Sequence, residues 1–546
     1  MSPEVVDDFI ASELSVICAD FEKRVTNLLH QQTGKLSGPS DELSTVNETF
    51  QQVDRTIFKS IQSMKWQYNQ QRPVEKLANE LIFEILQYCK ADEPHCYLPS
   101  AFSVSTKWRN VALSSPDFWT NISLPIHPDL LPLLQKRSQY RPIHVTISND
   151  DLWDERSQDQ RIGEPLRMLL GQISHLNISW GEGGTETRSL NSLLAARVNE
   201  CDLPFLEHLE IADWASDESD MAWLYTGALK NLVFEGNPAS KPFIWKDWLL
   251  DLRIEWTTMS STDIINLLTD CTQLERCSIR NDSSGSGDVQ PSETVVSLPE
   301  LQTLYIGSLY VAEMIHLFDH LEIPSSADVS VRTEDDRHGF FNNVIPFDEF
   351  LGPRVALYDE LRIRKSYAGL SYDLSSKSRG PLSVLNGSSE KVHSLADLAS
   401  YANSLSSLHF EAGTLPSLPR LVEALRSLSL ITHISIHNGE KDMDMLLSAL
   451  DPQEPHSEIL CPRLESLDCS ETKFESSRLQ ETLQARNSKG FPVRELKTTR
   501  GFVTPDSDGL TSLVEQHHQV DPIPVKSYFR SFMASGDGTG SAQTAT

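Results

Sequence analysis

The chain runs to 546 residues, 39% hydrophobic and 23% charged, which is several times a domain length of ~150 residues and too apolar for a largely disordered protein. Its 47 basic residues are outnumbered by 77 acidic ones, a net charge of −30 that repels nucleic-acid phosphates and anionic lipid head groups and argues against either as a partner. No segment approaches the ~20 uninterrupted apolar residues that cross a bilayer, and MSPEVVDDFIASELSVICADF at the start lacks the basic region of a signal peptide, so a cytoplasmic or nuclear protein is expected.

Residues 1–71 read as two amphipathic helices. Val6, Ile10, Leu14, Ile17, Phe21, Val25 and Leu28 step by three and four, which sets them on one helical face. QTGKLSGPSD at 32–41 marks a turn, and Val46, Phe50, Val53, Ile57, Ile61, Met64 and Tyr68 form a second stripe. Two such helices fold back as a hairpin or pair with a second copy as a coiled coil, and the spacing does not choose between them.

Residues 72–121 change character. Leu77, Leu81, Ile82, Ile85 and Leu86 give a broad apolar helical face. Phe102, Val104, Trp108 and Val111 predict a second short helix, and Ser115 before Pro116 reads as an N-cap with proline at N1 of a third turn.

From Trp119 onward an apolar triplet spaced 0, +3, +5 recurs, the L-x-x-L-x-L pattern whose alternate residues point from a strand into a shared core. It appears at Trp119/Ile122/Leu124, Ile173/Leu176/Ile178, Leu206/Leu209/Ile211, Leu229/Leu232/Phe234, Leu249/Leu252/Ile254, Leu274/Cys277/Ile279 and Leu301/Leu304/Ile306. It returns at Tyr358/Leu361/Ile363, Leu405/Leu408/Phe410, Ile431/Ile434/Ile436, Leu464/Leu467/Cys469 and Val493/Leu496/Thr498. Most steps are about 20 to 33 residues, room for a strand, a turn and a helix. STDIINLLTDC, VAEMIHLFDHL and LPRLVEALRSL supply helices, and Pro142 to Ile147 a weaker strand. The expected fold is therefore an α/β solenoid over 122–505, irregular and leucine-rich-repeat-like, with parallel strands and helices, behind an all-α module. The Asn ladder of a regular repeat is mostly missing and the step from 301 to 358 to 405 is uneven, so inserted loops are expected. Residues 281–292 and 374–390 read as Ser/Gly/Pro-rich loops, and 506–546 as an extension ending in a low-complexity tail from about Ala534.

The 72–121 segment resembles the F-box, whose pattern runs roughly L-P-x-E-L-L-x-x-I-F, then V-C-[KR]-x-W-R, then L-W. Here it stands as LANELIFEIL at 77–86, VSTKWR at 104–109 and Phe118-Trp119. The layout looks most like the large F-box families of mushroom-forming fungi. The resemblance departs at Ala78, where the family has Pro, and at Ser105, where Cys is common; both predict weakened adaptor binding. It implies that Leu77, Leu81, Ile82, Ile85, Leu86, Val104, Trp108 and Trp119 divide between a small core and a surface docking on a Skp-family adaptor and, through it, a cullin. A module of about fifty residues does not bury so many large side chains by itself; the alternative cover is the first solenoid repeat. The chain would then be the substrate receptor of an SCF-type ubiquitin ligase or, alternatively, a repeat scaffold outside any ligase.

Substrate recognition falls to strand residues flanking the core positions, which face away from the core. They include Glu210, Glu235, Arg253, Arg280, Tyr305, Arg362, His409, His433, His437, Asp468 and Lys497. Arg253, Arg280 and Arg362 are read as a central group suited to an acidic peptide or phosphopeptide from an unknown protein substrate.

No catalytic chemistry is expected. Walker A, H-E-x-x-H and G-x-S-x-G are absent, and the glycines of 536–540 follow no strand. The eight cysteines contain no C-x-x-C pair, so reduced thiols are expected. Cys89, His95 and Cys96 lack a fourth ligand, and His433 with His437 lack further ones, so no metal and no cofactor is assigned.

Overall fold

The computed structural model describes residues 39–91, 104–148, 159–180, 203–213, 228–235, 248–281, 294–334, 347–366, 369–386, 395–451, 459–504 and 508–522, with scattered helical residues between 15 and 31. The stripe from Val6 to Leu28, Phe102, His95, Cys96, residues 282–293 and the tail lie outside these. No described helix is long and apolar enough to cross a membrane. The chain divides into two compact units, Met1–Asn121 with Pro132–Arg141, and Ile122–Leu131 with Pro142–Thr546.

In the first unit the second amphipathic stripe lies on a helix of 33 residues, Pro39–Gln71. Phe50 and Ile61 of that stripe are exposed, and Val53, Ile57 and Met64 are half-buried. A 3-10 turn, Pro73–Lys76, leads to the helix Asn79–Ala91; a second helix, Thr106–Ser114, runs into a 3-10 turn, Pro116–Trp119. Ser105 caps the second helix, its hydroxyl accepting from the Trp108 backbone N–H, so serine at this position suits a helix start. Ser115 does occupy the N-cap position of the next turn, but its hydroxyl donates to the Val111 carbonyl at 2.7 Å instead of capping. The open carbonyls of the preceding helix end compete for it.

The second unit is built on a sheet of 17 strands. β1 (Asn121–Leu124), β2 (Ile143–Ser148), β3 (Ile173–Trp180), β4 (His208–Asp213), β5 (Asn231–Glu235), β6 (Asp251–Thr257) and β7 (Arg276–Asn281) lie side by side in chain order. The short β8 (Val296–Ser297) and β10 (Leu321–Glu322) pair separately, while β9 (Thr303–Tyr310) and β11 (Asp328–Glu334) extend the main ladder. From β2 to β11 every pairing in that ladder is parallel.

Beyond β11 the order inverts. β12 (Glu360–Ser366), β13 (Gly369–Ser376) and β14 (Arg379–Asn386) form an antiparallel meander whose last strand returns to pair with β11, while the first, β12, receives β15 (Ser407–Glu411). The spatial order is thus β11, β14, β13, β12, β15. The parallel ladder resumes through β16 (His433–His437), β17 (Ser466–Cys469), β19 (Glu495–Thr499) and β21 (Gln516–Val520), with β18 (Phe474–Glu475) and β20 (Val503–Thr504) paired aside. The ladder therefore runs past residue 505.

The expected loop at 374–390 is corrected by this meander. Leu370, Tyr372 and Leu374 on one strand and Leu382 and Val384 on the next alternate into the core, and Ser/Gly/Pro content misled because the apolar period is two rather than the repeat triplet. The return of β14 needs a bare backbone at Gly380, where a Cβ would lie 2.1 Å from the Ala327 carbonyl oxygen.

All twelve triplets are buried at every position. The three predicted helices are present as Ser261–Leu268, Val311–Asp319 and Leu418–Ser427, the first started by a reciprocal Ser260/Asp263 capping box. In place of an Asn ladder, buried Asn281 and Thr472 donate to the carbonyls of Met259 and Ile436. Seven residues after the first triplet position, Trp256, Ser308, Asn438 and Glu471 each turn the chain with φ of 56 to 60°, a left-handed conformation that non-glycine residues seldom take. Together these features make the second unit an α/β solenoid.

Candidate functional site

The helical module sorts its apolar residues into two groups. Ile82, Leu86, Trp108 and Trp119 are at most 5% exposed. Leu81 (48%), Ile85 (38%) and Val104 (48%) are open to solvent, and Leu77 is half-buried. Tyr88, 79% exposed, continues Leu81 and Ile85 at helical spacing and was not singled out in the sequence. The core is pinned by directed contacts. Trp119 Nε1 donates to the Ala112 carbonyl at 2.9 Å, Phe83 meets Phe118 edge-on at 5.2 Å, and the Arg137 guanidinium lies 4.4 Å from the Trp119 ring centroid. Lys107, which the motif contains without an assigned role, donates to two carbonyls of the preceding turn, those of Glu75 and Leu77.

On the sheet, the residues between the second and third triplet positions fall into one transverse file. From β3 it runs Asn177, Glu210, Val233, Arg253, Ser278, Tyr305 and Ser330. It crosses the meander through Ser383, Asp373 and Arg362, then continues with His409, Ser435, Asp468, Lys497 and His518. Glu210, Arg253, Tyr305, Arg362, His409, Asp468 and Lys497 thus share a face as expected. Glu235, Arg280 and His437 lie farther along their strands and His433 nearer the start.

The expected arginine group is corrected by this register. Arg253 and Arg362 are six strands apart in the file, about 29 Å at ~4.8 Å per strand. The inverted meander inserts β14 and β13 between them, which chain order does not reveal. Each is also partnered: Arg253 Nε donates to Glu255 at 2.6 Å, and Arg362 approaches Glu360 at 3.9 Å. The same holds for Arg276 with Asp251, Arg332 with Glu334 and Arg364 with Asp373. At the acidic end Glu235 has its carboxyl pushed up by burial and by neighbouring Glu255 and Glu210.

The histidines form two clusters. His144 and His175 stack with centroids 3.8 Å apart, and His208 follows at 5.5 Å; burial and His208 hold the His175 ring below its usual range. Farther along, His409 places Nδ1 2.5 Å from Ser435 Oγ and Nε2 3.1 Å from Glu360 Oε1, with the His433 ring 5.1 Å away. Burial pulls His409 down to about 4 against the opposing pull of Glu360, and lowers His433 as well, so both rings are neutral near pH 7. His437 Nδ1 meets the Ser470 carbonyl at 2.9 Å. Serine, histidine and carboxylate in line have the order of a hydrolytic triad, yet Ser435 is only 1% exposed. A substrate carbonyl does not reach it, and the chain of bonds serves to orient the ring. Among the described residues no group of His, Cys, Asp or Glu is set to hold a metal, and Cys89, Cys271, Cys277, Cys461 and Cys469 are free thiols.

No family model matches the chain, and no curated protein does. Among solved structures, an internalin from Listeria monocytogenes is similar at 12% identity and a TM-score of 0.25, over 70% of this chain and 80% of that one. A likeness at that level leaves fold and function to rest on the chain's own residues.

Proposed function

We propose that the chain is an F-box receptor: residues 72–121 dock on a Skp-family adaptor linked to a cullin, and the solenoid face holds a protein substrate for ubiquitin transfer catalysed elsewhere. The chain makes no bond itself and contributes proximity. The observation carrying this reading is the split within one apolar pattern. Leu81, Ile85 and Tyr88 line an exposed helix face on a module whose core is already filled by Ile82, Leu86, Trp108 and Trp119, and an apolar face left open beside a completed core suits a protein partner.

The test is co-purification of the intact chain with the adaptor and cullin, beside a Leu81→Asp, Ile85→Asp double variant. Binding by the intact chain that disappears in the variant supports the receptor. No binding by the intact, folded chain removes it and leaves a repeat scaffold outside a ligase.

A further inference from the structure

One arginine on the open face of the sheet has no acidic partner among the described residues. Arg253, Arg276, Arg332, Arg362 and Arg364 each have a carboxylate within reach. Arg280 has none among the described residues; its guanidinium lies instead 5.2 Å from the centroid of the Trp256 ring.

The backbone bends twice around this residue. Between β6 and β7 the register slips, so that Glu255 and Trp256 together stand opposite Arg280. Trp256 takes φ 56° there and its side chain is left 40% exposed. Between β9 and β11 a second slip sets Gly307 and Ser308 opposite Arg332, with Ser308 at φ 60°. Gly307 is the ladder partner of Arg280, and the Tyr305 ring lies over it: a Cβ on Gly307 would sit 2.9 Å from the Tyr305 hydroxyl oxygen. Bulges re-aim side chains, and here the slip leaves the Trp256 ring beside Arg280 and open to solvent. Three adjacent strands therefore present Trp, Arg and Tyr as one patch, the residue types that dominate binding energy at protein interfaces.

We infer that Trp256, Arg280 and Tyr305 form a docking point for a partner protein, in which one Asp or Glu carboxylate pairs with Arg280 while neighbouring apolar atoms lie on the two rings. The proposal rests on the receptor reading only in calling that partner a substrate. Charge sets the class of ligand. Glu255 is taken up by Arg253 and Glu334 by Arg332, so among the described residues the patch offers one cation without an acidic partner and matches one negative charge. The second charge of a phosphate would meet Glu255 across the bulge with no further cation to offset it.

The probe is an array of 12-residue peptides with Asp, Asn, phosphoserine or Lys at the centre, flanked by Leu, Val or Phe, presented to the intact chain. Asp-centred peptides should bind, Arg280→Ala and Trp256→Ala should each weaken them about tenfold or more, and Arg280→Glu should move the preference to Lys-centred peptides. Unchanged melting temperatures show that the variants are folded. The proposal is overturned if no Asp-centred peptide binds, if phosphoserine binds more tightly, or if Arg280→Ala changes nothing. It is equally overturned if binding emerges only after Asp282→Asn, which would assign Arg280 to a carboxylate of its own chain. Adaptor co-purification of the Arg280 variants is read separately: its failure in the intact chain, with peptide binding retained, sinks the receptor reading alone.

Discussion

Lys107 Nζ donates to the Leu77 carbonyl at 2.6 Å and, in the same reach, to that of Glu75 at 2.8 Å. A single ammonium thereby ties the second helix of the module to the turn that launches the first. Lys107→Met keeps the aliphatic stem and removes both bonds, at a cost of about 1–3 kcal/mol. The thermal transition of the module should fall and, under the proposed receptor function, adaptor binding should weaken, although Lys107 is not on the exposed apolar face. Unchanged melting and unchanged affinity would show the clamp to be dispensable.

Glu313 lies in the first turn of the helix Val311–Asp319 and is fully buried, with Oε2 accepting from the Tyr310 N–H. Burial pushes its carboxyl up to about 7 from an ordinary 4.5. The folded chain thus resists ionisation that the unfolded chain accepts. This group's stabilising effect is fully present below pH 4.5, is lost as pH rises to about 7, and stays lost above it, on the order of 3 kcal/mol in all. Glu313→Gln keeps an acceptor for Tyr310 and should remove that slope. Urea midpoints of the two chains at pH 5 and pH 8 decide it, since an equal difference at both values contradicts the assignment.

Much of this fold was legible. Every triplet read from spacing became a buried strand because the period-two alternation within L-x-L and its recurrence are both set by the core the strands share. The misses have specific causes. β11 offers Val329 and Val331 but Ser326 where the first apolar residue belongs. β13 and β14 obey alternation without the triplet, and β21 (QHHQV) is polar enough to pass for tail. The exposed apolar pair Leu81 and Ile85 was legible from helical spacing together with the resemblance to the F-box. The isolation of Arg253 from Arg362 was not, because it depends on strand order rather than on any local pattern. Trp256 was missed as well, since its exposure comes from a slip in register.

Arg486 is 0% exposed yet donates from Nη1 and Nη2 to the carbonyls of Leu460 and Cys461, each at 2.9 Å. Arg486→Met leaves both carbonyls without this donor and should destabilise the solenoid by about 2–4 kcal/mol. Arg486→Lys, with one compact charge in place of a fork, should fall between Met and wild type. Denaturant midpoints of the three chains rank them, and a Met variant as stable as wild type would refute the clamp.

Gly380 and Gly171 make a matched pair. A Cβ on Gly380 would collide with the carbonyl oxygens of Ala327 and Ser326, at 2.1 and 2.4 Å, whereas one on Gly171 meets nothing within 4 Å. Gly380→Ala should cost about 1–3 kcal/mol by pushing β14 off β11, and Gly171→Ala should stay within about 0.5 kcal/mol of wild type. Equal melting temperatures for the two variants would contradict the close approach of β14.

The inverted order β11, β14, β13, β12, β15 also bears on how the chain reaches its native state. A regular repeat array grows by adding each repeat to its sequence neighbour, so ordering spreads from any nucleus. Here β11 has no strand to hand on to until β12, β13 and β14 have assembled among themselves, and loop closure across roughly fifty residues precedes the first contact that rewards it. Zipping from the N-terminal side stops at Glu334, and zipping from the C-terminal side stops at the meander. Refolding should accordingly show two blocks that form independently and join late, with hydrogen exchange protected last at those amides that bond β11 and β14 to each other.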